Sequence, residues 1–512
     1  MDRSRQRIVR YNNWGRGEYG NISPDRAPAG SFDAENMVVY ESGIIGPRAG
    51  LNEFAFTGVE ANPVWGIFWR GTTPDLAVGI NDAVFRYDTL TPGAQDVFSG
   101  FLTGTPSGDY PAQGFEFDNR YVYFTVYGDQ SYVLDFVDGT LTALTDSPGG
   151  VDTCLYGERM IVAGDTSDVG QIFYSAALDF NDWPAENFIE IGNASGAVTG
   201  VWAQRGYLTL QTQNGEWWVL TGVPGTGTLR RVSGGGVHPW TAFTDGAELI
   251  GDDTIINVPI SADYPARFNG AVQDDRSWRH LRINDGNPQL GFGTVKVIHG
   301  FRADEAVVIF PGTAGNNRVG LFRNGVWTFH TFEVELSEYA ISDRQGRIFF
   351  TDGGSSGVAP RFFQWYLPLD RPSTDADDFA DAADPDAAGP RVVGRLAFPE
   401  DWVEDGSEQR VRQVIIDFLA YDLGDGENNT FDVYIDSLSL FGEVPKSTAD
   451  PDQFVEATGL YDATGTRLRH VINFGDEVMF GGGFQLRIEN ITGVAFEGFT
   501  IVTEARPAVP RF

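Results

Sequence analysis

Between Thr199 and Gly222 the chain reads TGVWAQRGYLTLQTQNGEWWVLTG, with apolar residues in short runs at Val201, Trp202, Leu208, Leu210 and Trp217 to Leu220. Gly206 and the pair Asn214-Gly215 punctuate the runs. Asn-Gly between two alternating runs is a strong hairpin signal, because both residues accept the positive φ of a type I′ turn. The stretch predicts a small antiparallel meander, one blade of a radial array of sheets.

Similar patterns recur from Pro63 to Pro368. VWGIFWR (64–70), LAVGI (76–80) and AVFRYD (83–88) form one unit, and FEFDNRYVYFTVY (115–127), SYVLDF (131–136) and GTLTAL (139–144) a second. CLYGERMIVAG (154–164) with QIFYSAALDFNDW (171–183) is the third, and the Thr199–Gly222 stretch the fourth. A weaker fifth covers 246–260 and 266–271, a sixth 295–332, and a seventh 339–352 with 361–367. Asp138-Gly139, Asn269-Gly270 and Asn324-Gly325 supply further hairpin turns. Residues 60–368 divided by seven give about 44 per unit, within the spacing of propeller blades. A propeller removes its exposed edges by closing the ring, often with a strand from the far end of the chain. The strand–turn–strand at Asn36–Ile45 is the expected donor.

After Pro368 the pattern breaks. Residues 369–390, LDRPSTDADDFADAADPDAAGP, carry seven aspartates against Arg371, and read as a solvated linker or as a negative rim facing a polyanion. From Arg391 the alternation returns in VRQVIIDFLAY, NTFDVYIDSLSLF, FQLRIENITG and FEGFTIVTEARP. The expectation is an all-β chain: an arm with a hairpin over 1–59, a β-propeller of about seven blades over 60–368, an acidic linker over 369–390, and a C-terminal β-sandwich over 391–512.

Charge changes the picture more than composition does. The 512 residues hold 36 Lys+Arg against 71 Asp+Glu, a net of −35, which disfavours tight wrapping of DNA but permits its passage. No apolar run approaches the ~20 residues of a bilayer span, so no membrane insertion is expected. The first residues run against the trend, with Arg3, Arg5, Arg7, Arg10 and Arg16 opposed by Asp2. They read either as a solvated tail or as a strap that docks on acidic surface of a neighbouring copy.

Two further segments carry a family resemblance. Pro28, Gly30, Asn36, Gly43, Arg48 and Gly50 form a Pro/Gly-rich lead, an Asn before a short strand, a Gly turn and Arg-x-Gly. Gly157, Arg159, Phe173, Tyr174, Ser175, Asp179 and Trp183 give Gly-x-Arg, an apolar strand, Phe-Tyr-Ser and Asp-x-x-x-Trp. Both resemble the tail nozzle or hub proteins of short-tailed bacteriophages, and the strand Gly481–Arg487 extends the likeness into the C-terminal part. The resemblance implies a structural virion protein made in the host cytoplasm. It implies a homo-oligomeric ring, six-fold by expectation, that contacts a tail adaptor and other tail proteins and surrounds the exit path of DNA. A wall of that kind is best served by negative charge, because a cationic lining brakes a duplex carrying one charge per ~1.7 Å. Candidate lining residues are Asp165, Asp168, Asp252, Asp253, Asp370, Asp375, Asp377, Asp378 and Asp381.

Signals for chemistry are weak. His238, His280, His299, His330 and His470 are scattered without the spacing of a helical zinc site. Asp425, Glu427 and Asn429 imitate part of a calcium loop, but Thr430 and Asp436 stand where Gly and Glu belong. Ser342–Phe349 only approximates the Asp-box turn of sialidases, and PGTGTL (224–229) lacks the lysine of a phosphate loop. Cys154 reads as a small buried hydrophobe, and no disulfide is available to one cysteine. No catalytic residue, cofactor or metal is expected. Two alternatives stay open: a propeller that binds or cleaves carbohydrate, with Trp217, Trp218, Trp240 and Trp278 as stacking platforms, or a tail-tip protein that contacts the host.

Overall fold

A computed structural model describes residues 5–11, 14, 32–40, 43–54, 61–70, 75–88, 95–104, 106, 112–191, 196–212, 216–232, 247–250, 254–257, 266–269, 273–274, 296–299, 305–310, 317–323, 326–332, 334, 336, 340–342, 347–352, 357–366, 392–398, 401–402, 408–420, 429–438, 446–447, 454–457, 466–473, 480–481 and 483–506. Every regular element among them is a β-strand. By contacts the chain divides into two units: Met1–Asn52, Gly320–Thr331 and Tyr366–Phe512 in one, Glu53–Val319 and Phe332–Trp365 in the other.

The second unit is a β-propeller. Its first sheet runs Val64–Trp69, Asp75–Ile80, Ala83–Asp88, Gln95–Val97, and its second Gln113–Phe117, Tyr121–Thr125, Ser131–Asp135, Thr140–Ala143. The third (Asp152–Tyr156, Arg159–Ala163, Gln171–Tyr174, Phe188–Glu190) and fourth (Val198–Gln204, Tyr207–Thr212, Trp217–Thr221, Thr228–Val232) repeat the same up-down order. So does the fifth, Ala247–Ile250, Thr254–Asn257, Ala266–Phe268, Gln273–Asp274. The sixth set opens with the antiparallel pair Lys296–His299 and Ala306–Phe310. The seventh sheet is Ala340–Ser342, Arg347–Thr351, Phe362–Tyr366 and, as its fourth strand, Leu51–Phe54. The opening strands of the seven sets neighbour one another in sequence order, and that of the seventh neighbours Val64–Trp69 of the first. This closes the ring.

Alternation explains the sheets and aromatics join them. Buried Trp65 and Phe68 of the first sheet meet Phe124 of the second, with centroids 5.9 and 4.6 Å apart. Phe180 of the third lies edge-on to Phe117 and Tyr123 of the second at 5.2 and 4.8 Å. Trp217 of the fourth stacks on Phe268 of the fifth at 4.2 Å, and Trp69 of the first on Phe349 of the seventh at 5.2 Å. Gly139, with φ +64°, occupies the predicted Asp-Gly turn between Ser131–Asp135 and Thr140–Ala143.

The first unit is a β-sandwich. One sheet has the order Met37–Val39, Ile45–Pro47, Val494–Arg506, Glu408–Ala420, Thr466–Asn473, with Arg5–Tyr11 also paired to Val494–Arg506. The facing sheet contains Asp33–Glu35, Gly394–Ala397, Gly483–Thr492 and Asn429–Leu438 in that order. Phe418, Phe496, Phe499 and Ile501 of the former and Phe431, Leu486 and Ile488 of the latter share one buried core.

This arrangement corrects the expected donor of the closing strand. Asn36–Ile45 does not complete the propeller: Met37, Val39 and Ile45 are buried in the sandwich core, and the closing strand is Leu51–Phe54 a few residues later. The first strands of the chain are therefore components of the sandwich that the last third completes, rather than a detached arm.

Candidate functional site

Several of the residues that carry the family resemblance take part in two hydrogen-bonded nodes. In the first unit, Asn36 sits at φ +57°, where the chain steps from Asp33–Glu35 to Met37–Val39. Asparagine tolerates that conformation better than most side chains. Its Oδ1 accepts from Arg48 Nε at 3.1 Å and from the Thr331 amide at 3.0 Å, while its own amide donates to Phe329 O at 3.1 Å. Arg48 is 1% exposed, and its Nη1 and Nη2 donate to Ala49 O at 2.9 Å and Thr331 O at 3.0 Å. One guanidinium thus fastens the Met37–Pro47 hairpin to residues 320–331, nearly 300 positions away. Gly43 turns that hairpin at φ +77°, and Trp14 Nε1 caps it by donating to Gly43 O at 3.1 Å. Pro28 and Gly30 lie outside the described residues.

The other node is in the third sheet. Gly157 and Glu158, both at φ near +60°, turn the chain into Arg159–Ala163. Arg159 lies over the Tyr174 ring at 5.3 Å and donates from Nη1 to Ser175 O at 2.6 Å. Ser175 Oγ accepts from the Met160 amide at 3.0 Å and donates to Ala176 O at 2.9 Å. Asp179 Oδ1 accepts from the Asn181 amide, and Trp183 Nε1 donates to Phe180 O. The Leu178 amide donates to Glu158 O at 2.8 Å, which ties the loop to the turn. Leu178 itself is 72% exposed, with Glu158, Asp179 and Asp182 exposed around it.

Arg5–Tyr11 pairs along its whole length with Phe499–Ala505, so this part of the arginine segment is a sheet strand and not a frayed tail. Two-sidedness follows from the alternation: Val9 and Tyr11 pack on the sandwich core, and Ile8 and Arg10 face away. Arg7 is exposed as well, whereas Arg3 and Arg16 lie outside the described residues. Of the acidic lining candidates, Asp168 is exposed and Asp165 is half-buried, with Oδ1 accepting from the Ser167 amide at 2.8 Å. Asp252, Asp253, Asp370, Asp375, Asp377, Asp378 and Asp381 lie outside the described residues.

Several of the remaining candidates that fall among the described residues have structural surroundings. Trp217 is fully buried and is no sugar platform, and Trp218 donates from Nε1 to Glu216 Oε2 at 3.2 Å; Trp240 and Trp278 lie outside the described residues. Cys154 packs against the core of the third and fourth sheets, and burial pushes its thiol well above the usual range. Burial lowers the His470 imidazole, and buried His330 lies 3.1 Å from Thr328 Oγ1. Among the described residues no group of three His, Cys, Asp or Glu is placed to hold a metal ion.

Two ion clusters had no signal in the sequence. Asp75 is buried and accepts from Arg86 Nη2 at 2.8 Å and from Arg70, while Arg86 Nη1 reaches Phe136 O of the second sheet at 3.0 Å. Arg120 Nε donates to Asp135 Oδ1 at 2.9 Å, and the amides of Val137 and Asp138 donate to the same oxygen at 2.9 and 3.1 Å. Burial alone raises the Asp135 carboxyl, but these partners outweigh it and hold the group below its ordinary range.

No family model and no curated protein matches the chain. Solved structures similar to it include the β-propeller domain of Cps50 (Swd1) from Myceliophteria thermophila, at 12% identity and TM-score 0.42, covering 62% of this chain and all of that one. A chain of the mitotic checkpoint complex matches at 11% and 0.39, covering 62% and 91%. PorZ, a surface component of the type-IX secretion system of Porphyromonas gingivalis, matches at 9% and 0.38, covering 69% and 43%. At TM-scores below 0.5 these likenesses carry no functional argument, and the propeller assignment rests on the sheet topology.

Proposed function

We propose that this chain is a structural virion protein, one subunit of a ring-shaped nozzle in the tail of a short-tailed bacteriophage, forming part of the wall past which DNA leaves. The observation that carries the reading is the Asn36–Gly43–Arg48 node. Asn36 and Arg48, two residues singled out by their resemblance to nozzle proteins, share a hydrogen bond in a node that reaches Thr331 far along the chain, and Gly43 turns the hairpin between them. The hairpin register, with Met37 opposite Pro47, sets Asn36 opposite Arg48, and the side-chain bonds to Thr331 extend that pairing to a remote strand. The second group behaves alike, since Arg159, Tyr174 and Ser175 form a single contact set. The net charge of −35 suits a wall that DNA passes without sticking. Burial of Trp217 withdraws one aromatic platform from the carbohydrate alternative.

Mass spectrometry of purified particles, with low-resolution imaging of a labelled copy, tests the reading. The expected result is the protein in every virion at a fixed copy number, located on the tail axis. A protein absent from particles overturns it, and a location confined to the tail tip favours the host-contact alternative.

A further inference from the structure

The outer face of one sandwich sheet presents an apolar strip with an arginine rim. Ile8 is in register with Val502, and Ile415 is in register with both Thr500 and Val471, on two neighbouring rungs of the same face. The strip Ile8, Val502, Ile415, Val471 therefore crosses four strands. Its ends are open to solvent, Ile8 by 56% and Val471 by 38%, although both are strong sheet formers that sheets ordinarily cover. Around it stand Arg10, Arg412 and Arg469. Among the described residues of the face, Glu504 accepts from Arg412 Nε at 2.6 Å and Asp417 accepts from Arg469 Nε at 2.6 Å, while Glu497 is half-buried at the bulge opposite Asp417. Among the described residues Arg10 has no ion-pair partner, so the face presents an exposed, unpaired arginine beside the strip on a chain whose net charge is −35.

We propose that this face seats a second copy of the same chain, through the tip formed by Leu178, Glu158, Asp179 and Asp182. The tip has the complementary character, a large exposed apolar side chain surrounded by carboxylates, held to the Glu158 turn by the Leu178 amide. Copies this acidic repel one another almost everywhere, so a stable contact belongs where apolar surface and an unpaired cation on one side meet an apolar tip with carboxylates on the other. Because the two surfaces differ, the contact is heterologous and builds a ring or a filament rather than a two-fold dimer. This deepens the nozzle reading, on which closure into a ring rests.

The test is a charge swap on the full-length chain, read by analytical ultracentrifugation near 0.15 M salt, with thermal melting to verify folding. The unaltered chain is expected to self-associate. Arg10→Glu with Arg469→Glu, or separately Glu158→Lys with Asp182→Lys, is expected to weaken association by roughly tenfold or more. An equimolar mixture of the two variants restores it, because each reversed surface then finds its complement on the other variant. Folded variants that assemble normally, a mixture that stays dissociated, or an unaltered chain that remains monomeric at every concentration overturns the proposal. Assembly that follows the swap in a protein absent from virions removes the nozzle reading alone. Normal incorporation of both variants into particles removes this contact alone.

Discussion

At the scale of single residues, the chain's most consequential side chain is Arg48. A buried guanidinium is costly unless its donors are met, and here they meet Asn36 Oδ1, Ala49 O and Thr331 O. Arg48→Ala leaves those acceptors in a buried site and opens a void, so a loss of about 3–5 kcal/mol is expected in urea unfolding monitored by tryptophan fluorescence. Arg48→Lys recovers only part of it, since an ammonium cannot span the same fork. A change within about 0.5 kcal/mol, the usual range for a surface substitution, refutes the clamp. The sequence marks Arg48 through its Arg-x-Gly setting but gives no hint of Thr331, because that partner is supplied by tertiary folding. The same limit hid Asp75. An aspartate at the start of a strand looks like any other among 71 carboxylates, until Arg70 and Arg86 are brought to it.

At the scale of elements, the blades were legible because each is local: alternating runs, a Gly or Asn turn, and pairing with the next strand. The closing strand was not. Leu51–Phe54, LNEF, is four residues with polar positions in its middle, and its partner Phe362–Tyr366 lies about 300 residues on, so no periodicity announces it. The more strand-like Met37–Val39 drew the assignment instead, and the sandwich core claims it. Local design is also where acid sensitivity resides. Asp135 anchors the turn between Ser131–Asp135 and Thr140–Ala143 through Arg120 and two amides, which depress its folded pKa. A depressed carboxyl contributes stability that is full above the unfolded value, about 3.9, and is lost as pH falls through the folded one. Asp135→Asn should therefore destabilise the chain at pH 7 and make progressively less difference below pH 4. Equal destabilisation at pH 7 and at pH 2 would mean that packing alone, and not the charge, holds this turn.

At the scale of the whole molecule, two electrostatic effects of opposite sign act on assembly, and their ranges separate them. The net charge of −35 repels another copy over the full Debye length, about 30 Å at 0.01 M salt, 8 Å at 0.15 M and 3 Å at 1 M. The proposed pairing of Arg10 and its neighbours with carboxylates on a second copy would act at contact distance. Raising salt from 0.01 M first removes the long-range repulsion while contact pairs survive. Further addition toward 1 M screens those pairs too, although salt also strengthens burial of the Ile8–Val471 strip to a lesser degree. Association is thus expected to pass through a maximum at a few tenths molar sodium chloride, and ultracentrifugation across that range reads it directly. The arginine-reversed chain, Arg10→Glu with Arg469→Glu, has lost the contact attraction, so salt should only increase its weak association. A maximum that persists in this variant would place the attractive charges on some other surface. A monotonic rise for both chains would show that copies meet through apolar contact alone, with the arginines as bystanders.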